Sequence, residues 1–341
     1  MYSSVVIPTY NRRKILEKTI YSLLNQTLST DKYEIIVVDD CSCDDTLEYM
    51  SKIVNSNSNV TFIRHQQNKG RVITRNDGIK TAKGDLIIFL DDDNVPRNNF
   101  VEEHIKCYAQ NHNGRIAVIG NASYALEVIG DSNFAKYLQS RYLGNRLISE
   151  CSTLDYNNLP ARCLGTLNCS ILRVDLIEVG MFDNRFRHYG GEDEYLGYCL
   201  KEKGIRLIFG EKACTLHYDN LSIPRYKQKI LESAKHGLAV LKNISPEYIQ
   251  NTQVKYLIPI STKKDRISVF LAKVIIRVVL NSCTIYFIEH WMILTDRIPF
   301  VYCASLYRML IAGWLIQGQK LKLIDGEFVS YKPEVKKSQI K

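Results

Sequence analysis

Over the first hundred residues, short and continuously apolar runs alternate with stretches whose apolar positions recur at helical spacing. Ser3–Pro8, Glu34–Asp40, Val60–His65 and Asp85–Asp93 are the short runs. Between the first two, Ile15, Leu16, Ile20, Leu23 and Leu24 predict a helix over Arg13–Thr27. Asp45–Asn55 and Val72–Ala82 predict two more. Strands that are apolar throughout and separated by helices belong to a parallel sheet covered on both faces. In such sheets ligands sit beyond the carboxyl ends of the strands. Polar residues gather there: Thr9-Tyr10-Asn11, Asp39-Asp40 and Asp91-Asp92-Asp93. Farther along, Ile116–Ala122, Leu164–Arg173 and Arg206–Gly210 read as strands, and Phe134–Ile148 and Glu194–Lys203 as helices.

After about residue 245 the pattern changes. Ile267–Ile288 is strongly apolar, yet Lys273, Arg277 and Asn281 recur every fourth residue. On one helix they form a narrow polar stripe on a greasy cylinder. Pro299–Gln317 is similar, with Arg308 its one charge and Pro299 suited to a helix start. The expected division is 1–245 for a catalytic domain and 246–341 for a basic, apolar helical region. Such helices pack on the catalytic domain, which is the bland reading, pair with another subunit, or lie in a membrane interface with the stripe meeting anionic headgroups, which the narrow polar face and surrounding cations favour.

Charge sharpens this division. The net charge is +9, and residues 255–341 hold 14 basic and 6 acidic side chains, leaving only +1 for the preceding residues. A basic end meets nucleic acid, a membrane surface or an acidic partner. The ordinary globular composition, 45% hydrophobic and 24% charged, excludes a disordered, collagen-like or coiled-coil chain. Ten scattered cysteines form no CxxC, which argues against a zinc knuckle or a thioredoxin-like site. With Met1–Ser4 running into a strand and no signal-peptide core, they are expected as free thiols in the cytoplasm.

The candidate chemistry lies in four segments. Asp91-Asp92-Asp93 brings adjacent carboxylates to a strand mouth, where mutual repulsion asks for a cation, naturally a hard divalent ion. A solvated acidic turn is the bland alternative for the triplet alone. Arg75, on the helix leading into that strand, is placed to face a phosphate or a base; otherwise it is a surface charge or part of a helix-end salt bridge. Gly190-Gly191-Glu192-Asp193 puts two carboxylates at a helix start after a tight loop. Read sharply, it holds an ionised general base; read blandly, it is an acidic helix N-terminus. His217 joins the site only if the fold brings it near Asp93.

Taken in order, these segments resemble the family 2 glycosyltransferases. The opening match is Val5-Val6-Ile7-Pro8-Thr9-Tyr10-Asn11-Arg12, Ser22 to Thr27, Val37-Val38-Asp39-Asp40-Cys41-Ser42, Asp44 and Thr46. It continues through Gly70, Arg75-Asn76, Gly78-Ile79, Ala82, Gly84-Asp85 and Phe89 to Asp93. Asn168-Cys169-Ser170, Arg173, Gly180, Phe182-Asp183 and Gly190 to Asp193 complete it, over roughly residues 3–220.

The resemblance implies an α/β GT-A fold, a Rossmann-like and mainly parallel sheet flanked by helices, here with a C-terminal helical extension. It implies a nucleotide-sugar donor, UDP-linked before GDP or dTDP, a divalent Mn2+ or Mg2+, and inversion at the anomeric carbon. By motif position Pro8, Tyr10, Asn11 and Asp40 would hold the nucleoside, and Arg75 the base or phosphates. Asp91 would approach the ribose with Asp92 beside it, and Asp93 would bind the metal together with Asp91 and His217. Asp193 would be the base, with Glu192 orienting the acceptor or sharing that duty.

The processive synthases carry a QxxRW segment, but neither Trp291 nor Trp314 has that context, which points to transfer of one sugar. The expected partners are a glycan or lipid-linked acceptor, the inner face of a membrane and, as an alternative for the C-terminal helices, a second copy of the chain. A peptide acceptor is the alternative substrate. A nucleotidyltransferase would show a Gly-rich loop after the first strand, which Pro8-Thr9-Tyr10-Asn11-Arg12 is not. A non-catalytic nucleotide-sugar or nucleic-acid binding module would not need both carboxylate groups, so no nucleic-acid partner is expected.

Overall fold

The computed structural model describes residues 1–111, 114–148, 154–262 and 265–321. The last part of the expected C-terminal region, 322–341, lies outside the described residues.

Eight strands form one sheet: β1 (Ser3–Thr9), β2 (Tyr33–Asp39), β3 (Val60–Arg64), β4 (Leu86–Leu90), β5 (Asn94–Pro96), β6 (Ile116–Tyr124), β7 (Asn168–Leu172) and β8 (Arg206–His217). Their order is β3-β2-β1-β4-β7-β6-β8-β5. β1, β2, β3 and β4 are mutually parallel, and β8 is parallel to β6. β7 runs antiparallel between β4 and β6, and β5 is antiparallel to β8. The sheet is thus mixed rather than uniformly parallel.

Side chains alternate across it, as pleating requires. Val5, Ile7, Ile35, Val37, Leu86 and Ile88 point to one core, closed by Leu16, Ile20 and Leu23 of the helix Arg13–Leu24. Val6, Ile36, Val38, Ile87 and Phe89 point to the other, closed by Val72 and Ile79 of the helix Arg71–Thr81 and by Leu196 and Leu200 of the helix Glu192–Glu202. Burial on both faces explains why these strands read as unbroken apolar runs. β1 lies between β2 and β4, so the chain reverses its direction of travel across the sheet at β1. That switch point opens a crevice at the carboxyl ends of β1 and β4.

Some strands run longer than their apolar signal, β6 to Tyr124 and β8 to His217. The stretch expected as one helix, Phe134–Ile148, is two, Asn133–Gln139 and Leu143–Ile148.

The C-terminal region corrects two expectations. Ile267–Ile288 is not one helix: Ile267–Val279 and Ser282–Leu294 meet at a bend of 55°. Asn281 causes the break by accepting from the backbone N–H groups of Cys283 and Thr284, which starts a new helix. The stripe of Lys273 and Arg277 does not face outward. Lys273 Nζ is buried against Asp265 at 2.7 Å and the carbonyl of Pro259 at 3.1 Å. Arg277 donates to the carbonyls of Leu257 and Ile258. Pro299 opens a short 3-10 turn, Pro299–Val301, and the helix proper is Ala304–Gly318.

These helices pack onto the rest of the chain. Tyr307, Leu310 and Trp314 join Tyr124, Phe134 and Tyr137, together with Leu221 and Ile223, in a third core. Ile249 and Ile258, past residue 245, belong to the core shared with β1, β2 and β4.

Candidate active site at the carboxyl ends of the central strands

The crevice beyond β1, β2 and β4 collects most of the residues singled out in the sequence. At the end of β2, Asp39 is fully buried and accepts from Ser42 N–H and Oγ–H, with Arg64 Nε at 3.3 Å. Asn11 has a left-handed backbone and clamps this turn: its N–H donates to Ser42 Oγ, and its Oδ1 accepts from the N–H of Cys43. Asp40, expected to meet the nucleoside, is occupied within the protein. Its carboxylate accepts from the N–H groups of Lys69 and Gly70, both at 2.8 Å, and pairs with His65 Nδ1 at 2.8 Å. His65 in turn reaches Asp77. Pro8 and Tyr10 are half-buried at the end of β1.

The three aspartates after β4 have three different environments. Asp91 is held by Arg75 Nη2 at 2.8 Å and remains partly exposed. Asp92 is buried, accepts from Thr9 Oγ1 at 2.7 Å and lies 3.3 Å from Arg12. Burial raises its carboxyl to about 7, against the pull of Arg12. Asp93 pairs with Arg12 and with His217 Nε2 at 3.4 Å. Burial alone would raise Asp93, but His217 and Arg12 pull it well below the usual carboxylate range.

His217 reaches Asp93 because β5 pairs with β8 in a register that sets Asn94 opposite His217. The Tyr218 N–H donates to the Asp93 carbonyl at 2.7 Å and locks that register. Tyr142 OH lies 2.7 Å from His217 Nδ1, and the Tyr124 ring stacks on the imidazole. Burial works against protonation of His217, yet Asp93 raises its pKa.

Asp93, His217 and Asp219 each offer a ligand atom, and these atoms lie within 4.8 Å of one another. Two carboxylates and an imidazole suit a transition-type divalent ion such as Mn2+. The cluster fits a cation site, but its membership differs from the expected one. Asp219 stands in it and Asp91 does not, Asp91 being engaged by Arg75. Both Asp219 oxygens also carry ion pairs, Oδ2 with Lys229 at 2.7 Å and Oδ1 with Arg225 at 2.8 Å.

The Gly190–Asp193 segment closes the crevice. Gly190 and Gly191 both have left-handed backbones, and a side chain on Gly190 would collide with Ser233. The two carboxylates that follow differ sharply. Glu192 is buried, 4% exposed, with Oε2 accepting from the Gly190 N–H. Burial and the neighbouring Asp193 raise its pKa. Asp193 is 29% exposed and is oriented by Thr166, whose N–H and Oγ1–H donate to its two oxygens at 3.2 and 2.9 Å.

Arg75 joins the two halves of the site. Its fully buried guanidinium contacts Asp91 and lies 3.8 Å from Asp193 and 3.9 Å from Glu192. Burial opposes its charge, but these three carboxylates raise its pKa. Its Nε and Nη1 find no hydrogen-bond acceptor among the described residues.

Four participants escaped the sequence reading. Arg12 carried a signal, directly following Thr9-Tyr10-Asn11 at the strand mouth, and Asp219 stands two residues beyond His217. His65 and Thr166 carried none, since distant segments bring them in.

Residues 4–153 match glycosyl transferase family 2. A chondroitin synthase of Escherichia coli is 29% identical over 241 residues, 63% of this chain. The match spans only 34% of the synthase's length. The structure of a mannosyltransferase from Pyrobaculum calidifontis in complex with GDP-Man and Mn2+ has a TM-score of 0.56 at 15% identity, over 91% of this chain and 85% of that one. That of GalNAc-T7 with UDP, GalNAc and Mn2+ has a TM-score of 0.54 at 18% identity, over 80% and 54%. At these identities the two structures speak for the fold, which is GT-A. The match to the family 2 glycosyltransferases is carried by residues 4–153, less than half of the chain.

Proposed function

We propose that the chain transfers a single sugar, a hexose type, from a nucleotide-sugar donor to a hydroxyl group, with a divalent cation and with inversion. The observation that carries this reading is Arg75. Through it, Asp91 of the strand-end triplet and Asp193 of the glycine loop border one cleft, with the cation cluster two residues on at Asp93.

Each residue then has a task. Asp193 takes the proton of the acceptor hydroxyl as its oxygen attacks the anomeric carbon. The bond from that carbon to the diphosphate breaks on the opposite face, so one displacement inverts the configuration, through a transition state of oxocarbenium character. Thr166 fixes the orientation of Asp193, and the buried Glu192 holds the glycine loop through Gly190 rather than sharing the proton transfer. Asp93, His217 and Asp219 would hold the cation, which would supply positive charge for the departing diphosphate.

Pro8, Tyr10 and Asn11 border the nucleoside. Asp40 shapes that wall by fixing the 65–70 loop, with any lone pair it retains available to the base. Arg75 has two nitrogens, Nε and Nη1, left for the donor, and Asp91 approaches the ribose, while Asp92 ties the end of β4 to Thr9 and Arg12.

UDP is the preferred nucleotide. The structural relatives were solved with UDP or GDP-Man, each with Mn2+, which supports a nucleotide-sugar and a metal in general. The acceptor is a glycan or lipid-linked oligosaccharide of surface polysaccharide biosynthesis, and the chain works in the cytoplasm, peripheral on the inner face of a membrane. The free state of the described cysteines and the apolar C-terminal helices support that setting.

A donor-hydrolysis screen across UDP-, GDP- and dTDP-sugars with Mn2+ and Mg2+ tests the reading. Cation-dependent release of one nucleoside diphosphate is expected; no release from any donor contradicts it.

A further inference from the structure

The first C-terminal helix turns its cations inward and its apolar residues outward. Leu271, Ile275 and Val278, spaced as one helical stripe, are 53%, 62% and 67% exposed. On the next helix Phe287, Trp291 and Leu294 repeat the same spacing at 65%, 53% and 78%. Phe300, in the connection that follows, is 90% exposed. Soluble monomers rarely leave so continuous an apolar surface in water.

Charge around this face selects its occupant. Among the described residues from 266 to 321, every exposed charged side chain is a cation: Arg266, Arg297, Arg308 and Lys320. The acids of the region are turned inward. Asp265 holds Lys273, Glu289 holds Lys227 and accepts from Trp314 Nε1, and Asp296 accepts from the Phe134 N–H. A second copy docked by two-fold symmetry would bring like patches together. Within 266–321 the second copy would offer these cations no exposed acid among the described residues. An anionic bilayer meets both features, with headgroups for the cations and an acyl boundary for the apolar stripe.

The helices lie along such a surface rather than crossing it. Each of the two has 13 residues, about 20 Å of helix, against a hydrocarbon core of about 30 Å. They bend by 55°, and no single described helix is long and apolar enough to span. Their inner sides are already packed, with Ile285 and Met292 in the third core and Lys273 buried on Asp265.

We propose that the outward apolar face of Ile267–Val279 and Ser282–Leu294, together with the exposed cations Arg266, Arg297, Arg308 and Lys320 of the same region, is an insertion surface for an anionic lipid bilayer. The inference deepens the membrane setting proposed above and rests on it. Lys273 and Arg277 serve the internal packing and take no part. Attachment is carried by the apolar stripe, with Trp291 and Tyr286 at headgroup depth, where such rings settle.

The chain contains its own probe. It has two tryptophans, Trp314 being 1% exposed and Trp291 53% exposed, so a change in emission on adding vesicles reports Trp291. The full chain is titrated with vesicles of mixed phosphatidylcholine and phosphatidylglycerol, and binding is scored by fluorescence and flotation. The expected result is a blue shift with flotation, weaker on phosphatidylcholine alone. The double variant Ile275→Glu/Phe287→Glu, at exposed positions, should lose about tenfold or more in binding while its melting temperature and donor hydrolysis in solution stay unchanged.

If the parent floats and the double variant floats equally well, this surface is wrong while the membrane setting stands. If the parent does not float at all, both fall, and donor hydrolysis still judges the catalytic reading independently. A parent that ignores vesicles but sediments as a dimer, with the double variant a monomer, overturns the proposal in favour of a second copy.

Discussion

Nη2 of Arg75 donates to Oδ1 of Asp91 across 2.8 Å, inside a pocket that leaves the guanidinium almost no contact with water. The same guanidinium faces Asp193 and Glu192 from the other side. One rigid cation therefore sets the spacing between the donor end of the site and the proposed base. Arginine suits this position because its planar fork addresses several carboxylates at once, whereas lysine presents a single point charge.

Replacing Arg75 tests that coupling. Arg75→Met leaves three carboxylates facing each other and should cost about 3 kcal/mol or more of stability, read as a lower denaturant midpoint. Arg75→Lys should cost less stability but lower kcat by about tenfold or more, because charge is kept and geometry lost. An Arg75→Lys enzyme with parental kcat would show that the fork does not position the base.

The cation cluster predicts which aspartates matter for metal. Mn2+ affinity, measured by calorimetry with UDP present, should fall at least about tenfold in Asp93→Ala, His217→Ala and Asp219→Ala. Asp91→Asn should keep Mn2+ affinity close to parental, because Arg75 rather than the cluster holds that carboxylate. A loss in Asp91→Asn with near-parental affinity in Asp219→Ala would restore the ligand set expected from the sequence.

The parts of this site that the sequence exposes are those fixed by local patterning. β2 and β4 are buried on both faces, so their apolar runs are unbroken and end where Asp39-Asp40 and Asp91-Asp92-Asp93 meet the crevice. His217 is a different case. Nothing near it in the chain says that β8 extends to residue 217 and pairs with β5, and that pairing alone brings it to Asp93. The C-terminal stripe shows the same limit. A four-residue period places Lys273 and Arg277 on one side of a helix, but only packing tells inside from outside. Asp265 and the carbonyls of Leu257 and Ile258 turn that side inward. The break at Asn281 was legible in principle, since Asn followed by Ser-Cys-Thr is a helix-start signature inside an otherwise continuous apolar run.

His104 provides a pH test of the fold. It is fully buried, with Nε2 facing Asn168 Oδ1 at 3.0 Å and Nδ1 facing Ser170 Oγ at 2.9 Å. The Asn168 amide donates to the carbonyls of Asn121 and Ala213, so its Oδ1 must accept from Nε2–H and leave Nδ1 to accept from Ser170. Burial pushes the imidazole down to about 4. The unfolded chain then binds the proton first, and stability falls as pH drops from about 6.5 towards about 4, by about 3 kcal/mol in all. Below that range both states are protonated and the effect stops growing. Denaturant midpoints at pH 7 and pH 4.5 should diverge less in His104→Gln than in the parent; an unchanged divergence would assign the acid loss to other groups.

The division of labour between Asp193 and Glu192 is the most direct test of the account. The measurement is nucleoside diphosphate release at saturating donor and acceptor, paired with donor affinity by calorimetry, for Asp193→Asn and Glu192→Gln. Asp193→Asn keeps its shape and one accepting oxygen for Thr166 but cannot take a proton. It should lose about two to four orders of magnitude in turnover while binding the donor nearly as the parent does. Glu192→Gln should keep a larger share of turnover, since that side chain is buried on the Gly190 N–H. Near-parental turnover in Asp193→Asn, with the large loss falling on Glu192→Gln, would contradict the account and move the base to the buried carboxylate.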